Sequence, residues 1–184
     1  MPRQILFIQG GGGREDYGAD AILVTSLTRY LGGDYRIHYP LLPTESTPNF
    51  GRLEQIAREM ELLPDPIVLV GHSLGASMLL KYLSEFPAQK EIKGVFLLAT
   101  PLWKGPEAWK SGFKLKPDFP HGLPEGLPLF LYHSRDDEVV PFTHFASYRT
   151  MLPGAVFREI PAGGHQLNND LRAVAEDIKR LGPW

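Results

Sequence analysis

Cysteine is absent from the 184 residues of this chain, and its absence excludes several kinds of chemistry. Without thiols the chain cannot form a disulfide, act through a catalytic cysteine or build a cysteine-based zinc site. Excess positive charge is also missing, because the net charge is −2 and the basic residues are spread along the chain. The composition therefore gives no electrostatic reason to expect nucleic acid or an anionic membrane as a partner.

Long apolar runs are missing as well. The first run, residues 5–8, ends in glycines after four residues, which is too short for a signal peptide. No other run approaches the length of a membrane span. We therefore expect a cytoplasmic protein without a membrane partner. We also expect one domain over residues 1–184, long enough to cover a sheet with helices on both faces.

Short apolar runs alternate with helical patterns through most of the chain. The strand-like runs lie near residues 4–9, 35–39, 66–71, 93–99, 128–133 and 155–160. Most are continuously apolar, which is typical of parallel strands that are buried on both faces. Helical patterns fall near 18–31, 51–62, 74–86, 142–151 and 168–181. This alternation predicts an α/β fold with a doubly wound, mostly parallel sheet of about six strands flanked by helices.

Residues 101–127 interrupt that alternation. The segment is rich in proline and glycine, carries two tryptophans and two phenylalanines, and has room for only a short helix near 106–112. A loop of this length is usually functional or disordered, and the aromatic content argues against disorder. Because the segment follows the fourth strand, we expect it to cover the substrate, with Trp103 and Trp109 as an apolar wall. Ordinary packing beneath the loop is the alternative.

Residues 71–75 (Gly-His-Ser-Leu-Gly) lie between the third strand pattern and a helical pattern. A G-x-S-x-G sequence that turns from strand to helix places its serine on a strained elbow with an exposed hydroxyl. The flanking positions must be small, because strand and helix approach closely there. Ser73 is therefore the candidate nucleophile. The backbone amide of Leu74, at the helix N-terminus, is a candidate donor to an oxyanion.

A serine hydroxyl becomes nucleophilic when a base accepts its proton, and the base needs an acid to orient it. An acidic turn with Asp136 and Asp137 follows the fifth strand, and a loop with His165 follows the sixth. Each feature alone is common, since acidic turns cap helices and loop histidines are usually solvated. Together with Ser73, however, they stand at three strand ends in the order Ser, Asp, His of the α/β-hydrolase arrangement.

Four consecutive glycines, residues 10–13, follow the first strand. Glycines let the backbone approach a ligand and point amide groups inward, as a second oxyanion donor requires. A nucleotide phosphate loop is the competing interpretation. It fits poorly, because Glu15 and Asp16 occupy the place where G-x-G-x-x-G needs its last glycine, and no G-x-x-x-x-G-K-[ST] sequence occurs.

On these four pieces the chain resembles the compact α/β-hydrolases. It is similar to the small single-domain serine hydrolases related to the retinoblastoma-binding hydrolase, over essentially all 184 residues. The resemblance implies a minimal α/β-hydrolase that lacks the N-terminal strand pair of the full-size fold. It also implies that Asp137, which fits a D-x-x-V-P turn, is the acid rather than Asp136, and that the Gly11 amide is the second oxyanion donor. One departure is Gln9-Gly10, where many relatives have His-Gly, so the wall of the acyl pocket is expected to differ there.

The function expected from these features is hydrolysis of a carboxylic ester or related acyl bond of a small to medium substrate. Ser73, Asp137 and His165 would form the catalytic triad and pass through an acyl-enzyme. The expected partner is a small-molecule acyl substrate, and no cofactor is needed. The alternative is a protein-interaction module on a hydrolase scaffold with little physiological turnover, for which the sequence names no protein partner.

Four other residues near these motifs are weaker candidates for a role in the site. Tyr17 follows the glycine run and is a candidate for lining the substrate pocket, with a surface role as the alternative. His72 is expected to pack near the elbow with its side chain directed away from the triad. His133 and His144 are expected to be structural or solvated. No metal site is expected, because the histidines have no recognisable ligand spacing.

Overall fold

A computed structural model describes residues 2–87 and 89–184. Six strands alternate with helices in the order β1 Arg3–Ile8, α1 Arg14–Leu31, β2 Tyr35–His38, α2 Arg52–Glu61, β3 Ile67–His72, α3 Leu74–Glu85, β4 Ile92–Leu98, α4 Phe119–Gly122, β5 Leu129–Ser134, α5 Phe142–Met151, β6 Val156–Ile160 and α6 Arg172–Lys179. Two 3₁₀ turns, Ala108–Lys110 and Leu167–Asn169, lie outside these elements.

The strands form one sheet in the order β2-β1-β3-β4-β5-β6, and every neighbouring pair is parallel. The central strands are buried on both faces, as the adjacent and fully buried Val68 and Leu69 of β3 illustrate. That burial explains why these strands appear in the sequence as unbroken apolar runs. The predicted doubly wound α/β fold is confirmed.

Helices cover both faces of this sheet. On one face, Leu23 and Leu27 of α1 and Ile178 of α6 pack against the sheet. On the other face, α2, α3 and α5 enclose a second core that includes Ile56 and Leu79. Each such apolar side chain contributes about 1.5–3 kcal/mol when it is fully buried. No helix among the described residues is both long enough and apolar enough to cross a membrane.

The first and last helices depart from the predicted boundaries. Helix α1 begins at Arg14 rather than near residue 18, because Asp16 accepts hydrogen bonds from the Gly12 and Gly13 amides and thereby caps an earlier start. Helix α6 begins at Arg172 rather than at residue 168. The three residues of the preceding turn, 167–169, all have left-handed φ angles between 51° and 55°, which no α-helix accommodates.

The segment at residues 101–127 packs as an aromatic cluster above the end of β4. It contains one 3₁₀ turn and the single-turn helix α4. Trp103 lies at its centre, with ring centroids 5.0 Å from Phe113 and 6.0 Å from Trp109. Phe113 in turn meets Phe50 at 5.2 Å, which ties the segment to the chain before α2. These contacts join the segment to the core that contains Ile56 and Leu79.

Candidate active site

The elbow between β3 and α3 holds Ser73 in a strained backbone conformation. Its φ of 51° and ψ of −120° lie outside the ordinary regions for a residue with a side chain. The flanking glycines are required by space. A Cβ on Gly71 would approach the Ala76 Cα to 2.8 Å, and one on Gly75 would approach the Gln9 carbonyl oxygen to 2.4 Å. The Ser73 amide donates to the Leu98 carbonyl at 2.8 Å, which fixes the elbow to β4.

The glycine turn after β1 faces the elbow. Gly11 has a φ of +54°, and a Cβ there would lie 2.2 Å from the Asp16 carboxylate, so only glycine fits. Arg52, fully buried, donates to the Gly11 carbonyl at 3.1 Å and holds the turn from behind. Leu74 is the first residue of α3, so its amide has no acceptor within the helix. Gly11 and Leu74 line the same cavity as Ser73.

Asp137 and His165 form a close pair at the ends of β5 and β6. The His165 Nδ1 lies 3.1 Å from one carboxylate oxygen of Asp137 and 3.0 Å from the other. The Val139 and Val140 amides also donate to this carboxylate, at 2.9 Å and 2.8 Å. Burial alone would raise the pKa of Asp137, but the hydrogen bonds from His165 and the two amides outweigh it and hold the pKa below its usual value. The carboxylate is therefore ionised at neutral pH and fixes the Nδ1–H tautomer of His165.

The neighbouring acids hold the histidine loop rather than the histidine ring. Asp136 accepts hydrogen bonds from the Gly163 and Gly164 amides at 2.9 Å and 3.0 Å, and these bonds lower its pKa. Glu138 accepts from the His165 amide at 3.3 Å. Consecutive carboxylates thus have different tasks, and the spatial arrangement agrees with Asp137 as the partner of His165.

The Ser73 hydroxyl and His165 lie at the same edge of the sheet without a direct hydrogen bond between them in the described structure. The ring of His72, which precedes Ser73, has its centroid 4.7 Å from the ring of His165, so the elbow and the histidine loop are adjacent. In enzymes without substrate the bond between nucleophile and base is often long and closes only in the complex.

A cavity of about 430 Å³ opens beside Ser73. Its apolar wall is made by Phe50, Leu102, Trp103, Trp109 and Phe113. The two tryptophans singled out in the sequence therefore line the space next to the candidate nucleophile. Another groove of about 570 Å³ lies between α2 and α3 and includes Tyr82 and Phe86, but it contains none of the candidate catalytic residues.

Tyr17 does not line the cavity among the described residues, which argues against the substrate-binding role expected for it. Its ring stacks on Tyr39 at 4.3 Å, and its hydroxyl donates to the Tyr39 carbonyl at 3.1 Å. Because α1 begins at residue 14, Tyr17 already lies on the first turn of the helix and turns away from the glycine run. Gln9 is also no pocket wall: it is fully buried and accepts from the Leu42 amide at 3.0 Å.

His133 and His144 both have structural contacts. The His133 Nε2 donates to the Val140 carbonyl at 2.9 Å, which supports the acidic turn. The His144 Nδ1 accepts from the Leu102 amide at 3.1 Å at the edge of the cavity. Burial lowers the pKa of both histidines, so they are neutral at pH 7.

Three buried residues that hold the loops of the candidate site, His72, Asp20 and Arg52, do not stand out as site residues in the sequence. His72 was expected to point away from the triad, yet its Nε2 lies 3.0 Å from the His165 carbonyl oxygen. Asp20 and Arg52 are both buried and both hydrogen-bond to the glycine turn. A charged residue within an otherwise apolar helical face, such as Asp20 in α1, is the signal that points to such a role.

The model of the serine hydrolase family matches residues 47–171, about two thirds of the chain. This range includes the elbow, the acidic turn and the histidine loop. The chain belongs to the serine hydrolase family. It is a hydrolase with an α/β-hydrolase fold, whereas a specific relation to the retinoblastoma-binding hydrolase stays a prediction. No curated protein matches the sequence.

Solved structures with a similar fold cover nearly the whole chain. The esterase domain of a Rhodothermus marinus protein has a TM-score of 0.65 and 21% identity, over 96% of this chain and 84% of its own. Arabidopsis thaliana SOBER1 has a TM-score of 0.66 and 16% identity, over 98% and 99%. Mouse alpha/beta hydrolase domain-containing protein 10 has a TM-score of 0.63 and 19% identity, over 96% and 88%. At these identities the likeness concerns the fold alone.

Proposed function

We propose that this serine hydrolase cleaves carboxylic esters, or related acyl bonds, of small to medium substrates through an acyl-enzyme on Ser73. The observation that carries the proposal is the pairing of His165 with a buried, ionised Asp137 beside the strained serine elbow. Gly11, Ser73 and Leu74 line one cavity, which gives the reacting carbonyl a place next to both amides.

The proposed reaction has two similar halves. His165 Nε2 accepts the Ser73 proton as Oγ attacks the acyl carbon, and the resulting oxyanion receives hydrogen bonds from the Gly11 and Leu74 amides. The tetrahedral intermediate collapses, and the leaving alcohol takes the proton from His165. Water then attacks the acyl-enzyme with the same base and the same oxyanion donors, which releases the acid and restores Ser73. Asp137 stays ionised and stabilises the His165 imidazolium in both halves.

The cavity limits the size of the acyl group that we propose. A space of about 430 Å³ with aromatic walls accommodates a short or medium acyl chain, and each buried methylene adds about 0.8 kcal/mol of binding. Trp109, at 60% exposure, leaves the cavity open towards solvent. An exposed wall of this kind fits a soluble ester better than a lipid drawn from an aggregate. A cytoplasmic location, and the lack of a nucleic-acid or membrane partner, stay predictions from composition.

The direct test is a burst experiment on p-nitrophenyl esters from acetyl to palmitoyl. We expect release of about one equivalent of p-nitrophenol per chain before the steady state, and a mass increase equal to the acyl group. Rates should be highest for short to medium chains. A linear release without a covalent adduct would contradict the acyl-enzyme. Best activity on palmitoyl ester, with a jump in rate above its solubility limit, would contradict the open pocket.

The competing function is a protein-interaction module with little turnover. It is less well supported, because Asp137 is held by the Val140 amide, and His165 is held by Asp137 and Glu138, in specific hydrogen bonds that binding alone does not require. Under that alternative the wild type would show turnover no faster than the Ser73→Ala variant.

A further inference from the structure

A second histidine–aspartate pair, His72 and Asp20, is buried next to the candidate triad. The His72 Nδ1 is 2.8 Å from the Asp20 Oδ1, and each side chain is only 2% exposed. The His72 and His165 rings have centroids 4.7 Å apart. The hydrolysis proposed above assigns no step to either residue of this buried pair.

The contacts of His72 determine its protonation. Its Nε2 is 3.0 Å from the His165 carbonyl oxygen, and because a carbonyl can only accept, this nitrogen carries a proton. Its Nδ1 lies 2.8 Å from the Asp20 Oδ1, although the ring N–H does not point straight at that oxygen. At this distance an unprotonated nitrogen would meet the lone pairs of a carboxylate, so a proton on Nδ1 is favoured. Asp20 accepts from the Gly10 amide at 2.7 Å and from the Gln166 amide group at 3.3 Å, which favours the ionised carboxylate.

The pair is therefore an imidazolium and a carboxylate. Burial alone would lower the pKa of His72, but its contacts with Asp20 and with the His165 carbonyl raise the pKa above its usual value. Burial would likewise raise the pKa of Asp20, yet the contact with His72 and the hydrogen bond from Gly10 lower it. The other titratable groups near the pair are Asp137, His133 and His165 on the side of His72, and Tyr39 on the side of Asp20.

Three separate loops of the candidate site converge on this pair. Asp20 holds the amide of Gly10, which precedes the proposed oxyanion donor in the chain. His72 immediately precedes the nucleophile. The histidine loop is held twice, through the His165 carbonyl and through the side chain of Gln166. The pair is thus the point where the glycine turn, the serine elbow and the histidine loop are tied to one another.

We propose that Asp20 and His72 form a positioning pair, which sets the distances among the oxyanion donors, Ser73 and His165. This role rests on the proposed hydrolysis. Removing one partner leaves the other as an uncompensated buried charge, which the surroundings relieve by shifting or admitting water. A displacement of about 1 Å at a catalytic group can cost on the order of 100-fold in rate.

The test compares Asp20→Asn with a matched variant, Asp177→Asn. Asp177 is also a buried, hydrogen-bonded carboxylate, bound to Tyr132 at 2.6 Å and to Arg158 at 2.9 Å, but it lies on α6 away from the site. Both variants should lower the melting temperature. Only Asp20→Asn should lower kcat, by about 10- to 100-fold, with KM within about threefold of the wild type. Here kcat is calculated per titratable serine, that is, per Ser73 that still reacts with an active-site titrant.

Retention of the wild-type kcat per titratable serine in Asp20→Asn would overturn the positioning role and leave a structural pair. An equal loss of kcat in Asp177→Asn would overturn it too, because the effect would then follow stability alone. Absence of ester turnover in the wild type would count against the proposed function, so the two failures are distinguishable.

A second measurement needs no variant that folds poorly and no substrate. In the ¹⁵N-labelled wild type, NMR should show protons on both ring nitrogens of His72 at about pH 7, above the pH at which an ordinary histidine loses its charge. One-bond correlations to the ring carbons, linked to the His72 backbone, assign the signal. A His72 ring with only one protonated nitrogen at about pH 7 would overturn the ion pair.

Discussion

Two histidine–aspartate pairs lie side by side in this protein, and they differ in what surrounds the histidine. His165 is 3.0 Å from Asp137, and His72 is 2.8 Å from Asp20, so the pairs are nearly equal in distance. The His165 side chain is 12% exposed, and its Nε2 has no hydrogen-bond partner among the described residues. The His72 side chain is 2% exposed, its Nε2 is hydrogen-bonded to the His165 carbonyl, and its Nδ1 lies 2.8 Å from the Asp20 carboxylate.

The residue types of a histidine–aspartate pair therefore do not by themselves decide whether its histidine can act as a base. A general base needs a nitrogen that is free to accept a proton, and of these two histidines only His165 has a ring nitrogen that faces no oxygen of the described residues. Both His72 nitrogens lie close to oxygen atoms, so its charge serves to hold loops together. The more exposed pair lies at the edge of the sheet, and the buried pair lies between α1 and β3.

The largest expected effect is the loss of activity when Ser73, the residue that the exposed pair activates, is replaced. Ser73→Ala should lower kcat by roughly 10⁴-fold or more, because without Oγ the exposed pair has no nucleophile to activate. Esterase assays with thermal unfolding as the companion measurement check this prediction. Stability should hardly change. Ser147→Ala, a change on the outer helix α5, serves as the control and should keep full activity. More than a tenth of the activity in Ser73→Ala would contradict the assignment.

The next effect distinguishes the two adjacent acids of the exposed pair. Asp137→Asn should lower kcat by about 10³- to 10⁴-fold, because it leaves His165 without the partner that fixes its tautomer. Asp136→Asn should cost about tenfold or less, since Asp136 contacts only the backbone of the histidine loop. Steady-state kinetics on one soluble ester compare the two. The reverse ranking would make Asp136 the acid.

The buried pair should be visible in how stability depends on pH. Below about pH 6.5 a histidine is protonated in both states, so the full contribution of His72 is present. Above that pH the unfolded chain loses the proton while folded His72, with its raised pKa, keeps it. Stability therefore falls as the pH rises, by up to about 1.4 kcal/mol per pH unit, until the folded pKa is reached.

Urea unfolding of the wild type and of His72→Asn between about pH 7 and 9 measures this contribution. The difference in stability between the two proteins should shrink as the pH rises. His133 and His144 have lowered pKa values and act in the opposite sense below about pH 6.5, but both proteins share them. A difference that stays constant or grows with pH would show that folded His72 is not a cation.

The smallest effect concerns the wall of the cavity beside the exposed pair. Trp109→Ala should lower kcat/KM for medium-chain esters by about three- to tenfold and leave acetyl ester almost unchanged, because only longer chains reach the ring. Trp109 suits this test better than Trp103, whose indole donates to the buried Ser77 hydroxyl at 3.0 Å, so that its removal would also break a hydrogen bond of the fold. An equal loss on every chain length would mean that Trp109 supports the fold of the loop rather than the acyl chain.

Much of the fold follows from local patterns in the sequence. The unbroken apolar runs of β1, β3 and β4 reflect burial on both faces, which parallel strands require, and all six strands were predicted at nearly their observed positions. Helix ends were harder to predict, because their position depends on contacts such as the Asp16 carboxylate with glycine amides. Left-handed residues at 167–169 likewise delay α6 in a way that no helical pattern reveals.

The residues of the candidate site also differ in how well the sequence predicts them. Ser73, Asp137 and His165 stand in local motifs at strand ends, and the sequence alone was enough to single them out. Asp20 and His72 are 52 residues apart in the chain, and only the packing of α1 against β3 brings them to 2.8 Å. Tyr17 shows the converse: its position beside the glycine turn suggested the pocket, but the helix turns its ring towards Tyr39.

Fluorophosphonate labelling with peptide mapping identifies the serine that the exposed pair activates. We expect one label per chain, located on Ser73, with esterase activity lost in proportion to labelling. Labelling should fall sharply in Asp137→Asn, where the base is no longer oriented. A label on another serine, or full esterase activity in protein whose Ser73 is completely labelled, would contradict the account.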